Sequence, residues 1–127
     1  MSDREKKIII EGGVSLQGKI KINGSKNAAL PLLAATILTD EDVIIDNLPH
    51  LRDISLMVNL LAHLGVDICF EGHGSYTATR GKRLRVCSAS LNNTVAPYDL
   101  VNKMRASIVV LGPMLTKHGK AKVSLPG

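Results

Sequence analysis

Along the chain, hydrophobic positions switch between a period of two and a helical period, and the switches mark out short strands and longer helices. Ile8 to Ile10 is a β-branched run closed by Gly12-Gly13, and Lys19-Ile20-Lys21-Ile22 alternates polar with apolar up to Asn23-Gly24. Both read as strands. From Asn27 to Leu38 the residues are nearly all Ala, Leu, Ile and Thr, which predicts a helix buried on most sides. Pro31 forfeits a hydrogen bond in a helix interior, so this helix begins only a few residues before it, with Ser25 or Asn27 as cap. The Gly24-Ser25-Lys26-Asn27 turn then lies at a helix N-terminus.

Val43-Ile44-Ile45 predicts another strand, broken by Asn47-Leu48-Pro49. Asp53 caps a second helix in which Ile54, Met57, Val58, Leu61 and Leu64 follow helical spacing, and Gly65 ends it. Val66, Ile68 and Phe70 alternate up to Gly72-His73-Gly74, with Ser75 to Thr79 as the expected hairpin partner. Arg80 to Arg83 reads as a basic turn and Leu84 to Cys87 as the next strand. Beyond a loop over 92–97, Val101, Met104, Ile108, Leu111 and Leu115 form the stripe of a third helix, which Pro113 kinks or makes irregular near its end and Gly119 stops. Lys120 to Leu125 alternates again. Strands interleaved with helices, without a linker or low-complexity segment, predict an α/β or α+β class. The pattern of Gly18 to Ile22 recurs as Gly119 to Val123, but only the first copy leads on to a buried helix, so a further unit is expected beyond the second.

Composition narrows the class. Of 127 residues, 45% are hydrophobic and 21% charged, far from the signature of disorder. Aromatics are 2%, which leaves no stacking platform for nucleic-acid bases. The net charge of +5 suits a site for phosphates or carboxylates as well as it suits nucleic acid. Cys69 and Cys87 have no metal-ligand spacing and read as small buried hydrophobes. Met1 to Lys7 is polar with no apolar stretch behind it, and no run approaches the roughly 20 apolar residues of a membrane span. A cytoplasmic protein with no membrane partner is expected.

Three residues are candidates for chemistry. Lys26 stands between a glycine turn and an apolar helix, where backbone N–H groups and the positive helix end favour a phosphate or carboxylate; the bland alternative is an exposed lysine in a capped turn. Asn27 either caps the helix or hydrogen-bonds a polar ligand. Arg105 flanks the third stripe, where its permanent charge needs a partner, a ligand anion or a route to water. His50, His63, His73 and His118 are scattered without a ligand pattern, and His63 reads as a solvated surface residue. No Ser/His/Asp order, paired carboxylates or complete phosphate loop is present, so the residues by themselves lead to an anion site near Lys26 and no further.

The run Gly24-Ser25-Lys26-Asn27-Ala28-Ala29-Leu30-Pro31 closely resembles the opening motif of the UDP-N-acetylglucosamine enolpyruvyl transferases. Asn47-Leu48-Pro49 with Leu51-Arg52-Asp53, Leu64-Gly65, Ala96-Pro97-Tyr98-Asp99-Leu100-Val101 with Met104-Arg105-Ala106-Ser107, and Val123-Ser124-Leu125-Pro126-Gly127 agree in the same order. The related 5-enolpyruvylshikimate-3-phosphate synthases usually carry Ser after the lysine and an Arg further on. Asn27 and the following Ala-Ala-Leu-Pro favour the amino-sugar substrate.

The resemblance implies transfer of the enolpyruvyl group of phosphoenolpyruvate to the sugar 3-hydroxyl, with phosphate released and no metal or organic cofactor. It implies that Lys26 binds phosphoenolpyruvate, that Asn27 is the neighbouring substrate-binding amide, and that Arg105 contacts the sugar nucleotide. The implied architecture is an inside-out α/β barrel of repeated βαβαββ units in two domains. Residues 1–22 would supply strands to the otherwise C-terminal domain and 23–127 part of the catalytic domain. The catalytic Cys or Asp proton donor of relatives would fall beyond Gly127, so this chain is expected to be an inactive N-terminal piece. Its rivals are a shikimate-type homologue, a basic nucleic-acid-binding module and a remnant without a ligand.

Overall fold

The computed structural model of the chain describes residues 5–71 and 82–125. Helix α1 (Lys26–Ala35) continues into a 3-10 turn (Thr36–Leu38). Strand β1 (Val43–Leu48), helix α2 (Arg52–His63), strand β2 (Asp67–Glu71) and strand β3 (Lys82–Cys87) follow. Then come β4 (Val95–Ala96), α3 (Tyr98–Val101), a 3-10 segment (Arg105–Val110), α4 (Leu111–His118) and β5 (Lys122–Val123). This is the mixed α/β class that the pattern predicts.

β3 is the centre of an antiparallel sheet in the order β1-β3-β2. Its register sets Leu84 opposite Ile45 and Phe70, and Val86 opposite Val43 and Ile68. Because side chains alternate across a strand, these residues share the inner face, while Arg83 and Arg85 share the outer face with Glu71 and Cys69. Leu84 and Val86 are fully buried beneath the helical layer, alongside Leu33, Ile37, Met57, Leu61, Leu64, Val101, Val110 and Met114. α1 packs on α2 and on the 3-10 segment Arg105–Val110, and α4 packs on the turn after α1.

One tight junction fixes the start of α1. The pairing of β1 with β3 shifts register between Ile45 and Leu48, and Asn47 within that bulge takes a left-handed φ of 57°. Asn tolerates that conformation better than most residues. The bulge brings the Asn47 carbonyl against Gly24, where a Cβ would collide with that oxygen and approach Pro49 Cδ to 3.1 Å. Two motifs more than twenty residues apart, Gly24 to Asn27 and Asn47 to Pro49, are thus one packed unit. β1 accordingly runs through Leu48, beyond the break expected at Asn47.

Several other expectations need correction. Ser25 is the cap of α1, its Oγ accepting from the Ala28 N–H at 3.3 Å, so Asn27 belongs to the first turn. The helix buries one face, through Ala29, Leu30, Leu33 and Ala34, and leaves Leu32 54% exposed. Leu51 holds the cap position of α2 with no side-chain cap, so Asp53 is a first-turn residue instead. Gly65 ends α2 as expected, with φ 96° and Asn92 Oδ1 where a Cβ would lie.

The third helix is interrupted. Met104 is extended at φ −153° and ψ 114°, and the buried positions run Met104, Ser107, Val110, the spacing of three that a 3-10 turn presents. Ile108, Val109 and Val110 are β-branched and poor helix formers, and Leu115 ends up 52% exposed. Pro113 lies in the first turn of α4, where its missing N–H has no helical partner to lose, so it marks a helix start and not a kink. Gly119 closes α4 with φ 72°.

Residues 5–25 form no strand; Ile8, Ile9, Ile10, Ile20 and Ile22 are each more than 80% exposed. The alternation there needs a neighbouring strand, and none within the described residues pairs with it. The second copy of that pattern does pair, β5 lying parallel to β4. The hairpin expected over 72–79 lies outside the described residues; β2 pairs with β3. Lys82 and Arg83, expected in a turn, belong to β3. Cys69 is exposed on the outer face and Cys87 half-buried with its thiol donating to the Asp40 carbonyl at 3.3 Å, so neither is a core hydrophobe. No helix among the described residues is long and apolar enough to cross a membrane.

Candidate functional site

Lys26 is the first residue of α1. The first N–H groups of a helix have no intrahelical acceptor. Ser25 Oγ satisfies that of Ala28, and the N–H groups of Lys26 and Asn27 are left facing the helix entrance. The positive end of the helix dipole lies at the same place. The Lys26 ammonium adds a full charge, 44% exposed and 3.3 Å from Asp53 Oδ2 in the first turn of α2. Asn27 is exposed beside it. Backbone donors, an ammonium and an amide together suit an acidic ligand.

Arg105 opens the 3-10 segment that packs against α1, so the elements that begin with Lys26 and Arg105 touch. Its neighbour Met104 is buried and anchors the backbone, while the Arg105 side chain is exposed. Among the described residues its guanidinium has no carboxylate within ion-pair distance. Ser107 of the same segment is 1% exposed, and its hydroxyl has no partner among the described residues.

Other cations are engaged elsewhere. On the outer face of the sheet, Arg83 reaches Asp46 and Glu71, and Arg85 reaches Asp42 at 3.1 Å and Glu71 at 3.7 Å. The hydrogen bond and charge of Asp42 hold the Arg85 guanidinium protonated more firmly than usual. Lys117 pairs with Asp40. These cations alternate with carboxylates instead of forming the continuous basic stripe that a nucleic-acid backbone would require. His63 is exposed and touches Asn93 Nδ2 at 3.3 Å. No group of three or more His, Cys, Asp or Glu side chains among the described residues is placed to hold a metal ion.

Sequence reasoning placed Lys26 at a helix entrance but missed Asp53 as its partner. The signal was present, since a carboxylate in a first helical turn is favoured by the dipole, but the partner is 27 residues away in sequence.

Residues 10–127 match the EPSP synthase (3-phosphoshikimate 1-carboxyvinyltransferase) family. The chain belongs to that family. Within it, the chain is 54% identical over 122 residues to UDP-N-acetylglucosamine 1-carboxyvinyltransferase of Rhodospirillum centenum, covering 95% of this chain and 28% of that protein. The enzyme of the same name from Paramagnetospirillum magneticum is 51% identical over 121 residues, again 95% of this chain and 28% of the relative. That from Acinetobacter baylyi is 47% identical over 95% of this chain and 27% of its own length. The chain therefore spans little more than a quarter of the relatives it matches. Its fold is similar to that of the enolpyruvyl transferase NikO from Streptomyces tendae, with a TM-score of 0.67 at 21% identity over 87% of this chain and 24% of that one. An EPSP synthase family fold, in part, is what the α1 to β5 arrangement represents.

Proposed function

We propose that this chain contributes one wall of the substrate site of an enolpyruvyl transferase that acts on UDP-N-acetylglucosamine. The observation that carries the reading is the entrance of α1, where Lys26 and open backbone donors stand together, in a chain 54% identical to a protein named for that activity.

In the reaction, the sugar 3-hydroxyl oxygen bonds to the enol carbon of phosphoenolpyruvate while the methylene carbon takes a proton. The hydroxyl proton passes to a base. The resulting phospho-ketal breaks its carbon–oxygen bond to phosphate and loses a methyl proton, which restores the double bond in the product. Both substrates are acidic, so the site must cluster cations and fixed donors where charge grows on the departing phosphate. Lys26 with the α1 N–H groups serves phosphoenolpyruvate, Asn27 adds an amide beside it, and Arg105 serves the sugar nucleotide. Proton transfer falls to residues outside this chain.

The same reading assigns residues 1–22 to a second domain and 23–127 to part of the catalytic one. The exposed isoleucines of segment 5–25, which joins no strand among the described residues, and the exposed Leu32 of α1 support it, since both offer hydrophobic surface that a larger assembly would cover. It also places the activity in the cytoplasm, in the synthesis of cell-wall precursors. The test is thermal unfolding with added ligand, because a ligand that binds only the folded chain raises its melting temperature. UDP-N-acetylglucosamine and phosphoenolpyruvate should raise it and shikimate 3-phosphate should not; the reverse preference would move the reading to the shikimate enzymes. The chain alone should release no phosphate from the two substrates, and steady release would contradict the division of labour proposed here.

A further inference from the structure

The contact between Lys26 and Asp53 joins the first turns of two helices that pack on one another. Asp53 lies in the second position of α2 and caps nothing, the cap position being held by Leu51. Its carboxylate is 33% exposed and its Oδ2 lies 3.3 Å from Lys26 Nζ. An ammonium carries three N–H donors. The contact is an ion pair to a single carboxylate oxygen, which leaves N–H donors of the ammonium for a ligand. A lysine side chain has many rotamers to lose on binding, and an anchor already in place removes part of that loss.

We propose that Asp53 is a positioning residue for Lys26: its charge holds the ammonium at the entrance of α1, with N–H donors left for the phosphate or carboxylate of an acidic metabolite. This rests on the reading of Lys26 as an anion-binding residue. Asp53 itself touches no ligand in this role. A carboxylate beside an anion also repels it, so the sign of the effect when Asp53 is removed separates anchoring from competition. An anchor, once lost, weakens ligand binding; a competitor, once lost, strengthens it.

The experiment compares the full chain with its Asp53→Ala and Asp53→Asn variants in two measurements, with melting temperature checked for each. In the first, trace acetylation of Lys26 is quantified by mass spectrometry against exposed Lys103. An anchored amine reacts slowly, so Asp53→Ala should speed Lys26 labelling roughly two- to fivefold, the range of a partly exposed ion pair, and leave Lys103 unchanged. In the second, phosphoenolpyruvate is titrated against each protein by NMR. Affinity should fall by about the same factor in Asp53→Ala and in Asp53→Asn, since both remove the charge that holds the amine. A merely structural carboxylate would lower the melting temperature without that pattern. Unchanged Lys26 labelling in Asp53→Ala, or tighter binding in both variants, overturns the proposal. Should the unaltered chain fail to bind phosphoenolpyruvate, or bind it as well after Lys26→Ala, the anion-site reading falls and the ligand half of this proposal with it; the labelling ratio still decides whether Asp53 holds the amine.

Discussion

At the scale of single residues, Lys26 and Gly24 do different jobs within one turn. Lys26 is part of a half-exposed ion pair, so Lys26→Ala should change stability by less than about 1 kcal/mol. The same substitution should weaken anion binding about 10- to 100-fold, the worth of a charge-assisted hydrogen bond. Calorimetric unfolding and ligand titration on one variant check both halves. Gly24 faces the Asn47 carbonyl, and Gly24→Ala forces either the turn or the bulge to move, at a cost of about 1–3 kcal/mol. Gly112 is the control: a Cβ there meets nothing within 4 Å, and Gly112→Ala in a helix should be neutral or stabilise by up to about 1 kcal/mol. Denaturant midpoints that rank these two alanines the other way would contradict the packing described. Lys26 was legible in the sequence because a glycine turn followed by an apolar helix is a local signal. The packing of Gly24 on Asn47 and the pairing of Lys26 with Asp53 were not, since both depend on contacts between elements that only the fold brings together.

At the scale of elements, burial decides more than composition. α1 is apolar all round, yet Leu33 is fully buried and Leu32 is 54% exposed. Leu33→Ala should cost about 2–5 kcal/mol, whereas Leu32→Ala should stay within about 0.5 kcal/mol. Urea unfolding of the two variants measures the contrast, and equal costs would mean that α1 is oriented differently. α2 was readable from its i, i+3, i+4 pattern because its polar face is unambiguous, and Gly65 and Gly119 were readable as stops because left-handed closure favours glycine. The third helix was misread. Its apolar residues Val101, Met104, Ile108, Leu111 and Leu115 fit helical spacing, and the break comes from the extended backbone at Met104, which hydrophobic spacing does not report. The strands near Ile9 and Ile20 were expected from sequence alternation, which reports what a segment can pair with and not whether the partner is at hand.

At the scale of the whole molecule, the chain has a core of its own and leaves apolar side chains exposed. Residues 5–25 expose a series of isoleucines, and the relatives extend over more than three times the length matched here. Both facts accord with the proposal that the chain contributes part of a larger site. In the proposed function, the entrance of α1, at Lys26, receives phosphoenolpyruvate. The most direct measurement is a backbone-amide NMR titration of the chain with phosphoenolpyruvate at millimolar concentration, repeated on Lys26→Ala. Saturable shifts centred on Ser25 to Ala28 are expected, and they should disappear in the variant. Shifts that survive Lys26→Ala unchanged, or that centre on the outer face of the β1-β3-β2 sheet instead, would contradict that function.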